Sequence, residues 1–186
     1  EFHLAVTDPS GNPTTGIDRV TKTQSSWNSE NTIESTLKPS TIWDPTQYFN
    51  LWVVKFGGDM DGILGYSQFP SSSGLDGLNT NEGSADTDGV VIDYQYFGSS
   101  DIYSGGALSS PYDKGRTASH EIGHFFGLLH VWGDLGSRTN NYLNCNGTDY
   151  CDDTPVTGWE NYDCSGTKNS CTDYDGNDMV ENYMDY

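Results

Sequence analysis

A histidine-rich segment at residues 120–130, with the sequence His-Glu-Ile-Gly-His-Phe-Phe-Gly-Leu-Leu-His, constrains this chain more than any other feature. His120 and His124 are one helical turn apart, so on a helix both imidazoles project from the same face. Two such rings can bind one Zn²⁺ at about 2.0–2.1 Å, the usual distance between zinc and nitrogen. The spacing therefore predicts a helix over residues 114–127 that carries a zinc site.

The rest of the segment completes this site. Gly127 predicts the end of the helix, because glycine adopts the left-handed conformation at low cost. The turn lets His130 act as third ligand and leaves the fourth position to a water. Glu121 can reach that water and is the predicted general base. The alternative is a helix that carries HExxH by chance, but the longer pattern adds a turn residue and a third ligand at fixed offsets.

The composition is strongly acidic, with 27 Asp and Glu against 8 Lys and Arg and a formal net charge of -19 over 186 residues. This charge repels phosphate backbones and anionic lipid, so we expect no nucleic acid and no membrane as partners. No stretch reaches the roughly 20 apolar residues of a membrane-spanning helix. The acidic residues either serve solubility or form clusters that bind Ca²⁺. The length suits one domain over residues 1–186, and we expect a monomer.

All cysteines follow the histidine segment, at Cys145, Cys151, Cys164 and Cys171. They lack the CxxC spacing of a zinc knuckle, so two disulfides are the better interpretation. Disulfides form in oxidising compartments, which predicts a secreted protein. Asn146 begins an Asn-Gly-Thr sequon beside these cysteines and is the predicted glycosylation site, in an exposed loop.

The first half of the chain is typical of strands separated by turns. Short apolar or alternating runs predict strands at residues 2–6, 19–27, 48–56, 63–69 and 89–96. Residues 71–88 are rich in Gly, Asn, Asp and Ser, which predicts a loop. From residue 131 onward we expect loops, turns and disulfides with little regular structure.

Residues 120–130 resemble the metzincin signature of zinc proteases. The segment Asn-Tyr-Met-Asp-Tyr at residues 182–186 resembles the methionine turn of that clan, with Met184 as an apolar floor beneath the zinc ligands. Further segments resemble the pappalysin, or cytophagalysin-like, group: residues 2–5, 7–9, 51–54, 65–70, 88–92 and 153–155. The resemblance covers nearly the whole chain. An astacin-like enzyme of the same clan is the alternative, which the Met-Asp-Tyr turn and residues 153–155 disfavour.

The resemblance implies an α+β catalytic domain. Its expected parts are a twisted, mostly parallel sheet, an active-site helix, and an irregular, disulfide-bonded C-terminal lobe. The upper lobe is expected over about residues 1–130 and the lower lobe over about 131–186. Relative to the group, we expect the domain to be incomplete at both ends.

The resemblance also implies roles for single residues. Tyr186 is expected to donate a hydrogen bond to the tetrahedral intermediate, and the alternative is a frayed terminal residue. Asp149, Asp153 and Thr154 are expected to bind a structural Ca²⁺, and the alternative is an acidic solvated turn.

Two further features come from the resemblance. It pairs Cys145 with Cys171, and Cys151 with Cys164 is the second pair expected. The segment Gly65, Tyr66, Ser67, Gln68 and Phe69 resembles the strand at the cleft edge on which metzincins hold an extended substrate. The alternative for that segment is an ordinary core strand.

The sequence as a whole therefore predicts a secreted zinc endopeptidase. Its expected cofactors are one catalytic Zn²⁺ and a structural Ca²⁺, and its expected partners are proteins or peptides in extended conformation. In the expected mechanism, Glu121 takes a proton from the zinc-activated water that attacks the peptide carbonyl. The alternative is a non-catalytic, calcium-stabilised binding module that keeps a vestigial zinc site.

Overall fold

The computed structural model describes residues 2–70, 73–78 and 83–186. The chain forms two compact units. The first consists of Glu1–Gln68 with Gly83–Ala118, and the second consists of Phe69–Glu82 with Ser119–Tyr186. The predicted loop at residues 71–88 lies partly outside the described residues. No helix among the described residues is long and apolar enough to cross a membrane.

The first unit contains a small sheet whose central strand is completely buried. Strands β1 (Leu51–Val54), β2 (Gly65–Ser67) and β3 (Val90–Asp93) lie in the order β1-β3-β2. The apolar run of β3 is buried at every position, as expected for a strand with neighbours on both sides. β1 runs parallel to β3, whereas β2 runs antiparallel to it. The expectation of a mostly parallel sheet is therefore corrected, for the described residues, to a mixed sheet.

A helical segment that the sequence did not predict packs on this sheet. It begins as a short helix α1 (Glu30–Thr32), continues as a π-helical turn (Ile33–Leu37) and ends as a 3-10 turn (Lys38–Ser40). Its apolar face consists of Ile33 and Leu37 alone, too few residues for a periodicity to be visible. These two side chains join Trp27, Phe56, Met60 and Val91 in the main hydrophobic core.

Two predicted strands are wrong. Residues 2–6 and 19–27 form no strand. An isolated bridge joins Thr7 to Pro13 just after the first segment, and another joins Trp27, at the end of the second segment, to Phe56. Phe2, Leu4 and Val6 are 56%, 64% and 78% exposed, so the alternating pattern has no core to face. A strand also needs a neighbour that pairs along its length, and the described part of the chain provides none for either segment.

Where the structure describes the second unit, it contains little regular structure besides helix α2 (Arg116–Phe125), whose first three residues lie in the first unit. No helix or strand follows α2 as far as Tyr186, in agreement with the predicted irregular region. A disulfide joins Cys145 to Cys171.

The predicted second disulfide is not formed, and both Cys151 and Cys164 are free thiols. The half-buried Cys151 thiol contacts the backbone oxygen of Asp149 at 3.7 Å. The exposed Cys164 thiol lies 3.2 Å from the backbone oxygen of Val180 instead. The two sulfurs are therefore held by different loop segments, and the pairing of Cys151 with Cys164 is corrected.

Candidate metal centre

The three histidines of the motif converge on one point in the second unit. His120 and His124 lie on α2, and His130 follows the turn after the helix. The Nε2 atom of His124 is 3.0 Å from that of His120 and 3.2 Å from that of His130, and the third separation is 3.3 Å. Among the described residues, this is the one group of three or more His, Cys, Asp or Glu side chains close enough to hold a metal ion.

The triangle of nitrogens has the dimensions of one face of a zinc tetrahedron. Ligands at about 2.0–2.1 Å from a tetrahedral zinc are separated by about 3.3 Å. The three observed separations, 3.0, 3.2 and 3.3 Å, agree with that value. The donor set, three imidazoles, is one that catalytic zinc sites use.

Hydrogen bonds to the opposite ring nitrogens determine which nitrogen carries the proton. The Nδ1 atom of His120 lies 2.6 Å from the backbone oxygen of Tyr183, and that of His124 lies 2.8 Å from the backbone oxygen of Leu128. A carbonyl oxygen can only accept, so both Nδ1 atoms donate and both Nε2 atoms present lone pairs. The His130 Nδ1 lies 2.6 Å from the Asp134 carboxylate and donates in the same way. Three lone pairs thus face each other, and a cation placed between them would offset their mutual repulsion.

Burial keeps the rings of His120 and His124 neutral. Burial, followed by the neighbouring His130 and His120, lowers the pKa of His124 to about 4. Burial also lowers the pKa of His120. Both imidazoles are therefore neutral at pH 7, which is the form that binds a metal.

The end of α2 directs the chain toward His130. The Gly127 amide donates to the His124 oxygen at 2.8 Å, and the Leu128 amide donates to the Gly123 oxygen at 3.0 Å. These two bonds define a Schellman motif, in which the residue after the helix is left-handed. Gly127 has a φ of 93° and takes that position. The glycine thereby reverses the chain within one turn.

Met184 packs beneath the helix between the first two ligands. Its side chain is buried together with Val131 and Trp132, and its backbone oxygen accepts from the Val131 amide at 3.1 Å. A Cβ atom at Gly123 would overlap the Met184 sulfur. The absence of a side chain at Gly123 therefore lets the methionine approach the helix closely.

Glu121 follows the first ligand, and its side chain is 7% exposed. Burial raises the pKa of the Glu121 carboxyl to about 8. A carboxylate in such surroundings binds a proton readily, as a general base must. A dication on the adjacent histidines would favour the ionised form.

Tyr186 stands beside the ligands, and its ring is held by aromatic neighbours. The ring centroid lies 5.0 Å from that of His130, 5.1 Å from that of Trp132 and 5.7 Å from that of Tyr162. Burial, followed by the charge of Asp134, raises the pKa of the Tyr186 hydroxyl to about 12. The phenol is therefore protonated at neutral pH and can donate a hydrogen bond.

The structure brings two of the three predicted calcium ligands together. The Thr154 hydroxyl lies 2.8 and 2.7 Å from the two carboxylate oxygens of the buried Asp149. Asp153 is exposed, and no hydrogen bond joins its side chain to either residue in the described part of the chain. The predicted glycosylation site, Asn146, is also exposed.

The predicted substrate strand divides between the units. Gly65, Tyr66 and Ser67 form β2, at one end of the strand order, and the Gln68 amide continues the pairing with the Gly89 oxygen at 3.3 Å. Phe69 belongs to the second unit, where its ring contacts that of His124 edge-on at 5.2 Å between centroids.

Sequence reasoning missed three residues of this site: Gly123, Trp132 and Asp134. Only Gly123 could have been noticed in the sequence. A glycine inside a helix costs about 1 kcal/mol relative to alanine, so its presence there indicates a packing requirement. Trp132 and Asp134 act through a turn whose shape no short sequence pattern predicts.

Comparison with known proteins agrees with this geometry. No family model matches the chain. The chain is 39% identical over 124 residues to an extracellular metalloprotease of Colletotrichum graminicola, covering 66% of this chain and 37% of that protein. An extracellular metalloprotease of Sordaria macrospora is 31% identical over 189 residues, covering 100% of this chain and 53% of the relative. The chain thus spans roughly a third to a half of the length of these relatives.

A solved structure has the same fold. Mature mirolysin of Tannerella forsythia, in complex with a cleaved peptide, superimposes with a TM-score of 0.79 and is 39% identical. The match covers 100% of this chain and 62% of the mirolysin chain. The chain therefore has the fold of mirolysin over its whole length and is similar in sequence to extracellular metalloproteases.

Proposed function

We propose that this chain is the catalytic region of a secreted zinc metalloendopeptidase, a metzincin of the pappalysin group. The observation that carries the proposal is the convergence of three Nε2 lone pairs, 3.0–3.3 Å apart, next to the buried Glu121. The relatives named extracellular metalloproteases support both the activity and the location. The methionine turn at Met184 and the extended histidine motif support the clan.

His120, His124 and His130 would hold the zinc. When bound, zinc supplies Lewis-acid polarisation of the substrate carbonyl and lowers the pKa of a water. Glu121 accepts a proton from the attacking water and passes it to the leaving amine. Tyr186 donates a hydrogen bond to the oxygen that becomes negative in the tetrahedral intermediate.

The substrate would bind as an extended peptide. β2 stands at the end of the strand order, and such a strand offers backbone groups to a further strand. Gly65, Tyr66, Ser67 and Gln68 supply that edge, and Phe69 continues the segment. Backbone pairing of this kind accepts many sequences. The cleaved peptide bound to mirolysin supports peptides as the substrate class.

The calcium site and the glycan are additional proposals. Asp149 and Thr154 form the pair from which the Ca²⁺ site would be built, and Asp153 and backbone oxygens would join when the ion binds. Asn146 would carry an N-linked glycan, since its sequon is exposed.

The central experiment is Glu121→Gln in the purified, zinc-loaded protein. We expect the variant to bind one zinc per chain like the wild type, and its hydrolysis of an unstructured protein such as casein to fall by about 10²–10⁴-fold. Glu30→Gln makes the same chemical change at an exposed position on α1 and should leave activity unchanged.

Two results would contradict the proposal. Normal hydrolysis by Glu121→Gln would remove Glu121 from the mechanism. A folded wild-type protein that binds one zinc but cleaves no protein would instead be a non-catalytic binding module.

A further inference from the structure

Of the three ligand histidines, only His130 makes its Nδ1 hydrogen bond to a side chain. The Nδ1 atoms of His120 and His124 donate to backbone oxygens. The Nδ1 atom of His130 donates to the Oδ1 atom of Asp134 at 2.6 Å. A carboxylate is a stronger acceptor than a carbonyl and brings a negative charge next to the ligand.

A tight turn places this carboxylate. The Gly133 amide donates to the His130 oxygen at 2.8 Å. Gly133 and Asp134 both have left-handed backbone conformations, with φ values of 63° and 58°. Two such residues in succession turn the chain back, so that the Asp134 side chain reaches the histidine four positions earlier. A Cβ atom at Gly133 would overlap the backbone of Thr148, so the turn has little freedom to rearrange.

Trp132, which lies in the same turn, stacks on the ring of His130. Trp132 is 4% exposed and stacks on His130, with 4.3 Å between ring centroids and an interplanar angle of 9°. Trp132 prevents the imidazole from tilting, and Asp134 prevents it from rotating about its own axis. The turn thus orients the third ligand with two contacts in different directions.

We propose that Asp134 is the positioning residue for His130 and sets the affinity of the site for its metal, an inference that rests on the proposed zinc function. The carboxylate keeps the proton on Nδ1 and makes Nε2 a stronger electron donor. Outer partners of this kind contribute about 10–100-fold to metal affinity. The Asp134 side chain is 51% exposed, so its pairing with His130 adds little to the stability of the fold.

Two substitutions at Asp134 separate the effect of its charge from the effect of its hydrogen bond to His130. Asp134→Asn keeps a hydrogen-bond acceptor and tolerates the left-handed backbone, but loses the charge. Asp134→Gly fits the backbone and loses the whole side chain. Asn141→Gly is the matched control, because Asn141 is an exposed, left-handed residue (φ 50°) of the same unit.

The measurement is the zinc dissociation constant from competition with a chromophoric chelator, together with the melting temperature of each metal-free protein. We expect Asp134→Gly to bind zinc about 10–100-fold more weakly, Asp134→Asn to lie between it and the wild type, and Asn141→Gly to match the wild type. The metal-free melting temperatures should agree. In the Co²⁺-loaded protein, the visible absorption bands should change in Asp134→Gly, because the third ligand is less well oriented.

The outcomes distinguish this inference from the proposed function. A wild-type protein that binds no zinc would overturn the function itself. Wild-type zinc affinity and an unchanged Co²⁺ spectrum in both Asp134 variants would overturn the role of Asp134 while leaving the function intact. A fall in the metal-free melting temperature that accounts for the whole loss of affinity would assign Asp134 to the fold instead.

Discussion

At the scale of single residues, this site depends on where each imidazole keeps its proton. The acceptors on the outer side of the rings hold the protons at Nδ1, and the lone pairs are left pointing inward. A site preorganised in this way does not need to reorient its ligands when the metal arrives, which reduces the cost of binding. The residues that accept these bonds are therefore expected to contribute to metal affinity.

Tyr186→Phe tests the hydroxyl of the residue next to the ligands. The phenyl ring keeps the contacts with His130, Trp132 and Tyr162, so the fold and the zinc content should not change. Loss of a hydrogen bond to the tetrahedral intermediate should lower kcat by about 10²-fold, with KM nearly constant. Steady-state kinetics on a quenched peptide measures both parameters. An unchanged kcat would assign Tyr186 a packing role.

Glu160 gives a prediction on pH. Glu160 is 4% exposed, and its carboxylate accepts hydrogen bonds from the Arg138 amide at 2.9 Å and the Thr139 amide at 3.2 Å. Desolvation alone would raise the pKa, but these hydrogen bonds outweigh it and lower the pKa of Glu160 below its ordinary value of 4.5. The contribution to stability is therefore present above pH 4.5 and is lost as the pH falls through the lower, folded-state pKa.

Urea unfolding measured between about pH 7 and pH 3 should show this loss. Glu160→Gln should reduce the free energy of unfolding at pH 7 by about 1–3 kcal/mol, because the amide cannot accept all of these bonds. Glu160→Gln should also weaken the fall in the free energy of unfolding between about pH 4.5 and pH 3, whereas Glu30→Gln, at an exposed site, should not. An identical acid profile in Glu160→Gln would contradict the assignment.

At the scale of elements, the end of α2 is the part on which the metal site depends most. The helix holds two ligands, and only a sharp reversal after Phe125 brings the third to the same point. Gly127 makes that reversal in a confined space. A Cβ atom there would lie 2.5 Å from Leu75 Cδ1 and 3.2 Å from Leu78 Cδ1.

Gly127→Ala should therefore destabilise the protein for two reasons. Alanine in the left-handed conformation costs about 1–2 kcal/mol, and the crowding against Leu75 and Leu78 adds about 1–3 kcal/mol. Gly166→Ala is the matched control, since Gly166 is also left-handed (φ 70°) but has no atom within 4 Å of its Cβ position. Chemical denaturation should show the larger loss in Gly127→Ala, accompanied by weaker zinc binding. Equal losses would mean that the loop moves aside freely.

At the scale of the whole molecule, the two units are stabilised in different ways. The first has a sheet and a hydrophobic core around Trp27, Ile33 and Phe56. In its described residues, the second has one helix, a small buried cluster around Met184, the disulfide, and many hydrogen bonds between loops. A unit with so small an apolar core depends on covalent and metal crosslinks.

Removal of the disulfide tests this dependence. The bond closes a loop with a sequence separation of 26 residues, and a loop of that size corresponds to about 3 kcal/mol of stabilisation. The double substitution Cys145→Ser with Cys171→Ser should lose about that amount in denaturant unfolding. The double substitution Cys151→Ser with Cys164→Ser should lose little, since both are free thiols. A large loss in the second variant would restore the predicted pairing of Cys151 with Cys164.

The sequence alone determined what depends on local spacing. The candidate ligand set His120, His124 and His130, the proposed base Glu121 and the stop at Gly127 all follow from offsets within one helix and one turn. Strands β1 and β3 were also predictable, since their apolar runs are continuous, and β2 lies within the strand predicted at residues 63–69. The predicted strands at residues 2–6 and 19–27 were wrong because an apolar pattern is necessary for a strand but does not supply a partner.

Only the tertiary structure decided what depends on distant parts of the chain. The mixed direction of the sheet follows from how β2 pairs with β3, which no single strand encodes. The pairing of the cysteines depends on loop paths, and the position of Met184 depends on the open space at Gly123. The orientation of His130 depends on the turn that carries Trp132 and Asp134. Sequence spacing determines which groups can bind a metal, whereas the folded backbone determines which nitrogen of each ring faces it and how firmly it is held.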